Sequence, residues 1–250
     1  MINKNLNKDF KNFVKDHFNK FDEDNLNILD YSPVCIDPYL LSPYNFINSL
    51  FLKKMNKKKI LDYCCGIGIN SVNFSKYGAE VTGIDISEKS IEKAKRKFQL
   101  LNLSNYTFKK MDAHNLQFET NTFDFIFSYK SLLYLDLEIS FKELNRVLKK
   151  DGKLIILENI SDNLIFKYYR FIKHKLQKKK FTKELNKIYT EDLKLLSKNF
   201  ICVEKKYFDF FSILGKFIAD KIKIKFPNKF LFYLDNLVLN IFKIKSLSFT

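Results

Sequence analysis

Hydrophobic and polar positions change period along the middle of this 250-residue chain. Short apolar runs predict five buried strands, over 58–63, 79–85, 105–110, 123–128 and 152–158. Apolar residues at helical spacing predict helices over 69–77, 88–101 and 137–149. Strands that alternate with helices are typical of right-handed crossovers, so the pattern predicts an α/β fold with a mostly parallel sheet and helices on both faces.

The pattern also divides the chain into three parts. These are a helical N-terminal cap (1–56), the alternating core (57–160) and a C-terminal part (161–250) that completes the sheet and adds a helical lid segment. The predicted elements outside the core are helices over 8–22, 44–55, 162–178 and 190–198 and a strand at about 200–208.

The C-terminal tail has an amphipathic pattern over residues 229–243. Five polar residues fall on one arc of a helix and most of the apolar residues fall on the wide opposite face; the polar set is Lys229, Asp235, Asn236, Asn240 and Lys243. Such a helix either packs on the domain as a lid or lies on an anionic membrane surface. Packing is the preferred interpretation, and peripheral association with the inner face of the membrane is the alternative.

The net charge of +16 is compatible with binding to a polyanionic partner such as RNA. However, 41 of the 44 basic residues are lysines, whereas bidentate phosphate recognition favours arginine. Lys, Asn, Ile and Phe are all abundant and are all encoded by codons of A and T alone, so genome base composition is the preferred explanation of the charge.

Four scattered cysteines predict neither a disulfide framework nor a zinc site. The N-terminus lacks the apolar core of a signal peptide, and no run of 18 apolar residues occurs. These features predict a cytoplasmic protein without a bound metal.

Four of the six glycines lie between Ile60 and Ser87. Gly66 and Gly68 fall in the turn between the first strand and the first core helix, where a missing Cβ lets a ligand approach the backbone. Asp85 ends the next strand, 17 residues after Gly68, where a carboxylate can accept both hydroxyls of a ribose. The turn and this acid together predict a nucleoside site.

The residues just after the turn narrow the type of nucleotide. Ser71 stands where a dinucleotide-binding turn prefers a third glycine, so a nicotinamide-dependent oxidoreductase is the second choice among enzymes. The turn is not continued by Gly-Lys-Ser/Thr, which excludes a phosphate loop of the NTPase type. A single nucleoside without a pyrophosphate fits better.

Four motifs, "ILDYCCGIGI", "VTGIDIS", "KKMDAHNLQFETNTFDFIFS" and "FKELNRVLKKDGKLIILE", resemble in order and spacing the class I S-adenosylmethionine-dependent methyltransferases of the type 11 and type 25 kind. The resemblance covers about residues 58–158 and implies a Rossmann-like, mostly parallel seven-stranded sheet. Two positions depart from the family pattern: Asn70 replaces a glycine of the first motif, and Asp151 replaces one glycine before the last core strand.

Carried over position by position, the resemblance implies S-adenosylmethionine as the cofactor and a role for each matching residue. Asp62 would support the methionine amino group, and Asp85 would bind the ribose. The other implied contacts are Gly66 and Gly68 with the methionine part, Ile86 beside the adenine, Asp112 and Ala113 at the adenine edge, and Ser128 facing the methionine and the acceptor.

The reaction, an in-line displacement at a sulfonium methyl group, depends mainly on positioning. A hydroxyl acceptor would also require a base within hydrogen-bond reach. The candidates are His114, Tyr129, Tyr134 and Glu158. Tyr129 is the preferred residue facing the acceptor, with a packing role as the alternative. His114 is more readily interpreted as a loop histidine, and Glu158 either orients the acceptor or caps a helix.

The acceptor class is left partly open by the sequence. The segment after the fourth strand, Ser-Tyr-Lys-Ser, lacks the Asn/Asp-Pro-Pro-Tyr pattern of amino methylation on nucleic-acid bases, and no cysteine is placed for cytosine C5 chemistry. The preferred acceptor is therefore a small molecule or a lipid- or glycan-linked group. RNA methylation comes second, supported by the lysine runs at 53–59 and 173–180, and a non-catalytic nucleoside-binding protein comes last.

Overall fold

The computed structural model describes residues 11–12, 15–16, 52–158, 188–189 and 191–201. Its core elements are β1 (Lys59–Tyr63), α1 (Ile69–Lys76), β2 (Glu80–Asp85), α2 (Glu88–Leu100), β3 (Tyr106–Lys110), β4 (Phe123–Tyr129), α3 (Leu137–Val147), β5 (Leu148–Leu157) and α4 (Lys194–Asn199). Two short 3-10 helices, Leu52–Lys54 and Leu132–Tyr134, precede β1 and follow β4.

The strands form one parallel sheet in the order β3-β2-β1-β4-β5. The chain builds outward from β1 through β2 to β3 and then returns to β4 on the other side of β1. This arrangement confirms the predicted α/β class. The sheet has five strands within the described residues, and the further strand predicted at about 200–208 lies outside them except for its first two positions.

The central strand β1 is buried on both faces of the sheet, as expected for a parallel strand covered by helices. Leu61 and Tyr63 belong to the apolar cluster that includes residues of α3 and α4. Ile60 points to the opposite face and belongs to a cluster with Phe74 of α1 and Phe127 of β4. The short apolar run that predicted this strand is thus explained by contacts on two sides.

The boundary between α3 and β5 differs from the prediction. The helix expected over 137–149 ends at Val147, and Leu148 is already extended and pairs with Phe123 of β4. A Cβ on Gly152 would lie 2.7 Å from Leu148 Cδ1, so the glycine makes room for this leucine. Burial of Leu148 against the sheet therefore overrides the helical pattern.

The flanking predictions are tested at few positions. Residues 11–12 and 15–16 are helical, in agreement with the helix predicted over 8–22. Only residues 52–55 of the second cap helix are described, and three of them form a 3-10 turn. The basic helix over 162–178 and the amphipathic tail lie outside the described residues. Among the described helices, none is both long and apolar enough to cross a membrane.

Candidate functional site

The predicted site residues lie where the carboxyl ends of the central strands meet their loops. The chain leaves β1 toward β2 on one side, and β4 lies on the other side of β1. Such a reversal of strand order opens a crevice at the carboxyl edge, which is where open α/β sheets bind ligands. Asp62, Asp85 and Ser128 are at or near the ends of these three strands.

The turn between β1 and α1 is a left-handed segment fixed to β2. Gly66 and Gly68 have φ values of 51° and 72°, a region in which glycine carries no steric penalty. Cys64 shares this conformation with a φ of 57°, which is uncommon for a residue with a side chain. Gly66 N–H donates to Asp85 Oδ2 at 2.9 Å, and Cys65 N–H donates to the Ile84 carbonyl at 2.8 Å.

The two glycines of the turn have different surroundings. A Cβ on Gly66 would have no atom within 4 Å. A Cβ on Gly68 would lie 3.1 Å from Ala94 Cβ and 3.2 Å from Phe108 Cζ. Gly66 therefore borders open space in which a ligand can lie against the backbone, whereas Gly68 also lets α1 pack closely on α2 and β3.

Asp85 organises the backbone on both sides of its own position. Besides accepting the Gly66 N–H, its carboxylate accepts the Ser87 N–H through Oδ1 at 2.9 Å. Ser87 in turn begins α2, because its hydroxyl accepts the N–H of Ser90. Ile86 lies between them and is half-buried. A carboxylate can accept about four hydrogen bonds, so these two N–H donors are compatible with further donors from a ribose.

Asp62 is almost completely buried, and its Oδ2 accepts a hydrogen bond from the Ser71 hydroxyl. Burial raises the pKa of Asp62 from 3.8 to about 7, against the opposing effect of the hydrogen bonds from Ser71. The negative charge of Asp85 raises it further. A cation bound beside this carboxyl group would favour its ionised form.

The segment after β3 holds Asp112 between a histidine and a lysine. Asp112 Oδ1 accepts from the backbone N–H of His114 at 2.9 Å and lies 2.8 Å from His114 Nδ1, while Oδ2 pairs with Lys11 Nζ at 2.6 Å. The hydrogen bond from the His114 ring and the contact with Lys11 hold the pKa of Asp112 well below its usual range. The buried Tyr63 hydroxyl donates to the Ala113 carbonyl at 2.8 Å, which ties this segment to β1.

The tip of β4 and the following turn form the other side of the crevice. The hydroxyls of the buried Ser128 and Ser131 are 2.6 Å apart. Glu158 Oε2, at the end of β5, accepts the Leu132 N–H at 2.9 Å and so holds the 3-10 turn in place. Burial and the nearby charge of Glu158 raise the pKa of Tyr134.

Tyr129 is half-buried at the end of β4, and Lys130 Nζ lies 4.9 Å above its ring. The structure therefore brings Ser128, Tyr129, Tyr134 and Glu158 to one turn. His114 is not directed at them as a base would be, because its Nε2 accepts the backbone N–H of Asp136 at 2.9 Å.

Four residues of this arrangement were missed from sequence: Lys11, Tyr63, Ser131 and Asp136. Tyr63 was hidden among the apolar residues of β1, and Lys11 was one of many lysines. Their partners are distant in sequence, so no local pattern could have identified the contacts. Within the described ranges, no group of three or more His, Cys, Asp or Glu residues is arranged to hold a metal ion.

Residues 61–156 match a family model described as a methyltransferase domain. The chain is also 36% identical over 136 residues to the demethylmenaquinone methyltransferase of Staphylococcus saprophyticus and 37% identical over 136 residues to that of Staphylococcus haemolyticus. Both alignments cover 48% of this chain, and they cover 57% and 55% of the relatives. The chain thus matches little more than half the length of these curated relatives.

Solved structures with a similar fold include a geranyl diphosphate C-methyltransferase from Streptomyces coelicolor, with a TM-score of 0.55 and 14% identity over 79% of this chain and 80% of that one. The YcgJ protein of Bacillus subtilis has a TM-score of 0.52 and 21% identity over 62% and 68% of the two chains. At these identities the structures show a shared fold. The family model supports, over residues 61–156, the methyltransferase resemblance predicted from the four motifs.

The raised pKa of Asp62 predicts a pH-dependent stability. The unfolded chain ionises this carboxyl near pH 4, whereas the folded protein keeps it protonated up to about pH 7. The free energy of unfolding contributed by Asp62 is therefore fully present below about pH 4 and lost as pH rises toward 7. Relative to Asp62→Asn, the wild type should lose on the order of a few kcal/mol across this window, measured by urea denaturation.

Ser71→Ala provides the matched variant, because it removes a hydroxyl whose hydrogen bond favours ionised Asp62. The loss of stability should then extend to higher pH. Parallel pH profiles for the wild type and Asp62→Asn would show that Asp62 ionises normally in the folded protein.

Proposed function

We propose that residues 61–156, which match a methyltransferase domain, form the core of a class I S-adenosylmethionine-dependent methyltransferase. The protein binds S-adenosylmethionine at the glycine turn and methylates a small-molecule acceptor. The observation that supports this proposal is that the open space beside Gly66 lies next to the carboxylate of Asp85. Asp85 Oδ2 accepts the Gly66 N–H at 2.9 Å. A nucleoside with its ribose on Asp85 would lie against this exposed backbone.

The residues around the turn fit the parts of such a cofactor. Asp85 offers a charged acceptor to the ribose hydroxyls, and Ile86 offers an apolar contact beside it. Asp112 and Ala113 follow the neighbouring strand β3. The Met111 N–H donates to the Asp85 carbonyl at 2.9 Å, which holds this segment beside Asp85. Asp112 would accept a hydrogen bond from the amino group of the adenine.

Asp62 would interact with the amino end of the methionine part. A nearby ammonium group favours the ionised carboxylate and would lower the pKa that burial has raised to about 7. Hydrogen bonding to Ser71 already supports the ionised form. Asp62 would therefore be most fully ionised when a cation occupies the site.

When bound, S-adenosylmethionine supplies an electrophilic methyl group on a positively charged sulfur. The chain's contribution is to hold the acceptor in line with that methyl group and to keep water away, which is where most of the acceleration of such a displacement arises. Ser128, Tyr129 and Tyr134 would form the surface that meets the acceptor. Glu158 would position the turn on which Tyr134 lies, through its bond to the Leu132 N–H.

The acceptor we propose to test first is demethylmenaquinone, because both Staphylococcus relatives are named for it. It falls within the predicted class of small or lipid-linked acceptors. The alignments cover only part of those proteins. The proposal of this acceptor therefore depends on the similarity of the matched core and on the presence of a crevice beside β4.

Binding of S-adenosylhomocysteine should depend on Asp85. Asp85→Ala removes a charged acceptor of the ribose and an anchor of the Gly66 N–H, at about 1.5–3 kcal/mol for each hydrogen bond to a charged group. We expect calorimetry to show that the affinity for S-adenosylhomocysteine falls by roughly tenfold or more in Asp85→Ala and by less in Asp85→Asn. Glu92→Gln, which neutralises an exposed acid on α2, is the control. Tight NAD binding without a response to S-adenosylhomocysteine would contradict the proposal.

The two glycines of the turn should respond differently to alanine. Both substitutions place a side chain at positive φ, at a cost of about 1–2 kcal/mol. Gly66→Ala should then weaken S-adenosylhomocysteine binding through its intruding Cβ, whereas Gly68→Ala should lower the free energy of unfolding further by crowding Ala94 and Phe108. Unaltered binding by Gly66→Ala would show that the ligand lies elsewhere.

Transfer of a labelled methyl group should identify the acceptor. The full chain is incubated with labelled S-adenosylmethionine and either demethylmenaquinone in detergent or total RNA. We expect label in the quinone and a much smaller amount with Asp85→Ala, while Glu92→Gln keeps the wild-type rate. Label in RNA alone would replace the small-molecule proposal with RNA methylation.

A further inference from the structure

The ring of His114 makes a defined contact at each nitrogen. Its Nδ1 lies 2.8 Å from Asp112 Oδ1, and its Nε2 lies 2.9 Å from the backbone nitrogen of Asp136. The side chain is 9% exposed. His114 thus bridges the segment after β3 to the residue that begins α3.

The partners determine which nitrogen carries the proton. A backbone N–H can only donate, so Nε2 must present its lone pair to Asp136. The proton of the neutral ring then lies on Nδ1 and is donated to the carboxylate of Asp112. In this state no ring nitrogen is available to take a proton from an acceptor molecule, which is the task of a general base.

The bridge joins the two sides of the crevice. Asp112 is at the proposed adenine edge, where its other oxygen pairs with Lys11. Asp136 caps α3, with its side chain accepting the N–H groups of Glu138 and Ile139, and it directly follows the turn that Glu158 holds. The ring of His114 therefore connects the cofactor side to the acceptor side through two hydrogen bonds.

We propose that His114 is a positioning residue, which orients Asp112 toward the adenine by anchoring it to the first turn of α3, and that it does not act as the base. This inference rests on the proposed function for the role of Asp112. The bridge itself does not depend on a ligand, so it can be tested separately.

Nitrogen NMR of the ligand-free protein tests the bridge. His114 should show the neutral Nδ1–H tautomer with a hydrogen-bonded Nε2, and the Asp136 amide should exchange more slowly in the wild type than in His114→Phe. An Nε2–H tautomer, or equal exchange in the two proteins, would overturn the inference whether or not the protein binds S-adenosylmethionine.

Three substitutions separate the two arms of the bridge. His114→Phe keeps a ring of similar volume and removes both bonds, whereas the amide of His114→Asn can reach Asp112 and that of His114→Gln can reach Asp136. None of the three can act as a base. We expect the affinity for S-adenosylhomocysteine to fall about tenfold in His114→Phe, which corresponds to the loss of one hydrogen bond to a charged group. In His114→Asn the affinity should be partly restored. Asn115→Ala, an exposed position on the same loop, is the control.

Turnover then distinguishes positioning from proton transfer. The kcat of His114→Asn, measured at saturating S-adenosylmethionine, should stay within a few-fold of the wild-type value. Its KM for the cofactor, measured over a range of cofactor concentrations, should rise. A fall of about a hundredfold or more in kcat for both amide variants, with an unchanged KM, would identify His114 as the base and overturn the inference. If the wild type itself fails to bind S-adenosylhomocysteine, the proposed function fails, and the NMR result alone decides the bridge.

Discussion

The hydrogen bond from the Gly66 N–H to the Asp85 carboxylate is the interaction on which the site depends. It joins the turn after β1 to the end of β2, and these two strands are neighbours in the sheet. Asp85 also accepts the Ser87 N–H at the start of α2. One side chain therefore holds both the turn after β1 and the connection from β2 to α2. The left-handed backbone of the turn is acceptable because Gly66 and Gly68 carry no Cβ. Substituting Asp85 would therefore disturb the shape of the crevice as well as its charge.

Negative charge is concentrated at this edge of a strongly basic protein. Asp62, Asp85 and Asp112 follow or end three adjacent strands, although the chain as a whole carries a net charge of +16. Burial is the main cause of the raised pKa of Asp62, and the charge of Asp85 adds to it, whereas Asp112 is paired with Lys11 and His114. A cation in the crevice would favour the ionised form of Asp62, and a ligand with a sulfonium, an ammonium and one carboxylate group brings a net positive charge. The acids at this edge are thus compatible with the positively charged cofactor of the proposed function.

The parts of the site that the sequence predicted are those set by local pattern. The strand ends, the glycine turn and Asp85 follow from short apolar runs and glycine spacing, because a parallel sheet aligns the carboxyl ends of its strands at one edge. The bonds of Lys11 to Asp112 and of Glu158 to Leu132 span 101 and 26 positions, and only the folded chain brings these residues together. Gly68 illustrates the same limit, since glycine spacing does not reveal that its missing Cβ also makes room for Ala94.

The two sides of the crevice are built differently, and under the proposed function this difference would separate cofactor binding from acceptor specificity. On the cofactor side, backbone hydrogen bonds pair β1, β2 and β3, and the one carboxylate of Asp85 holds the Gly66 and Ser87 N–H groups. The geometry there depends little on which apolar residues fill the strands. On the acceptor side, the turn after β4 is held by side chains: Glu158 on the Leu132 N–H, the Ser128 and Ser131 hydroxyls on each other, and His114 on the Asp136 N–H. A change in one of these side chains can reshape the acceptor surface and leave the glycine turn intact. Loops of this kind, carried on a rigid sheet, are where related proteins acquire different substrates.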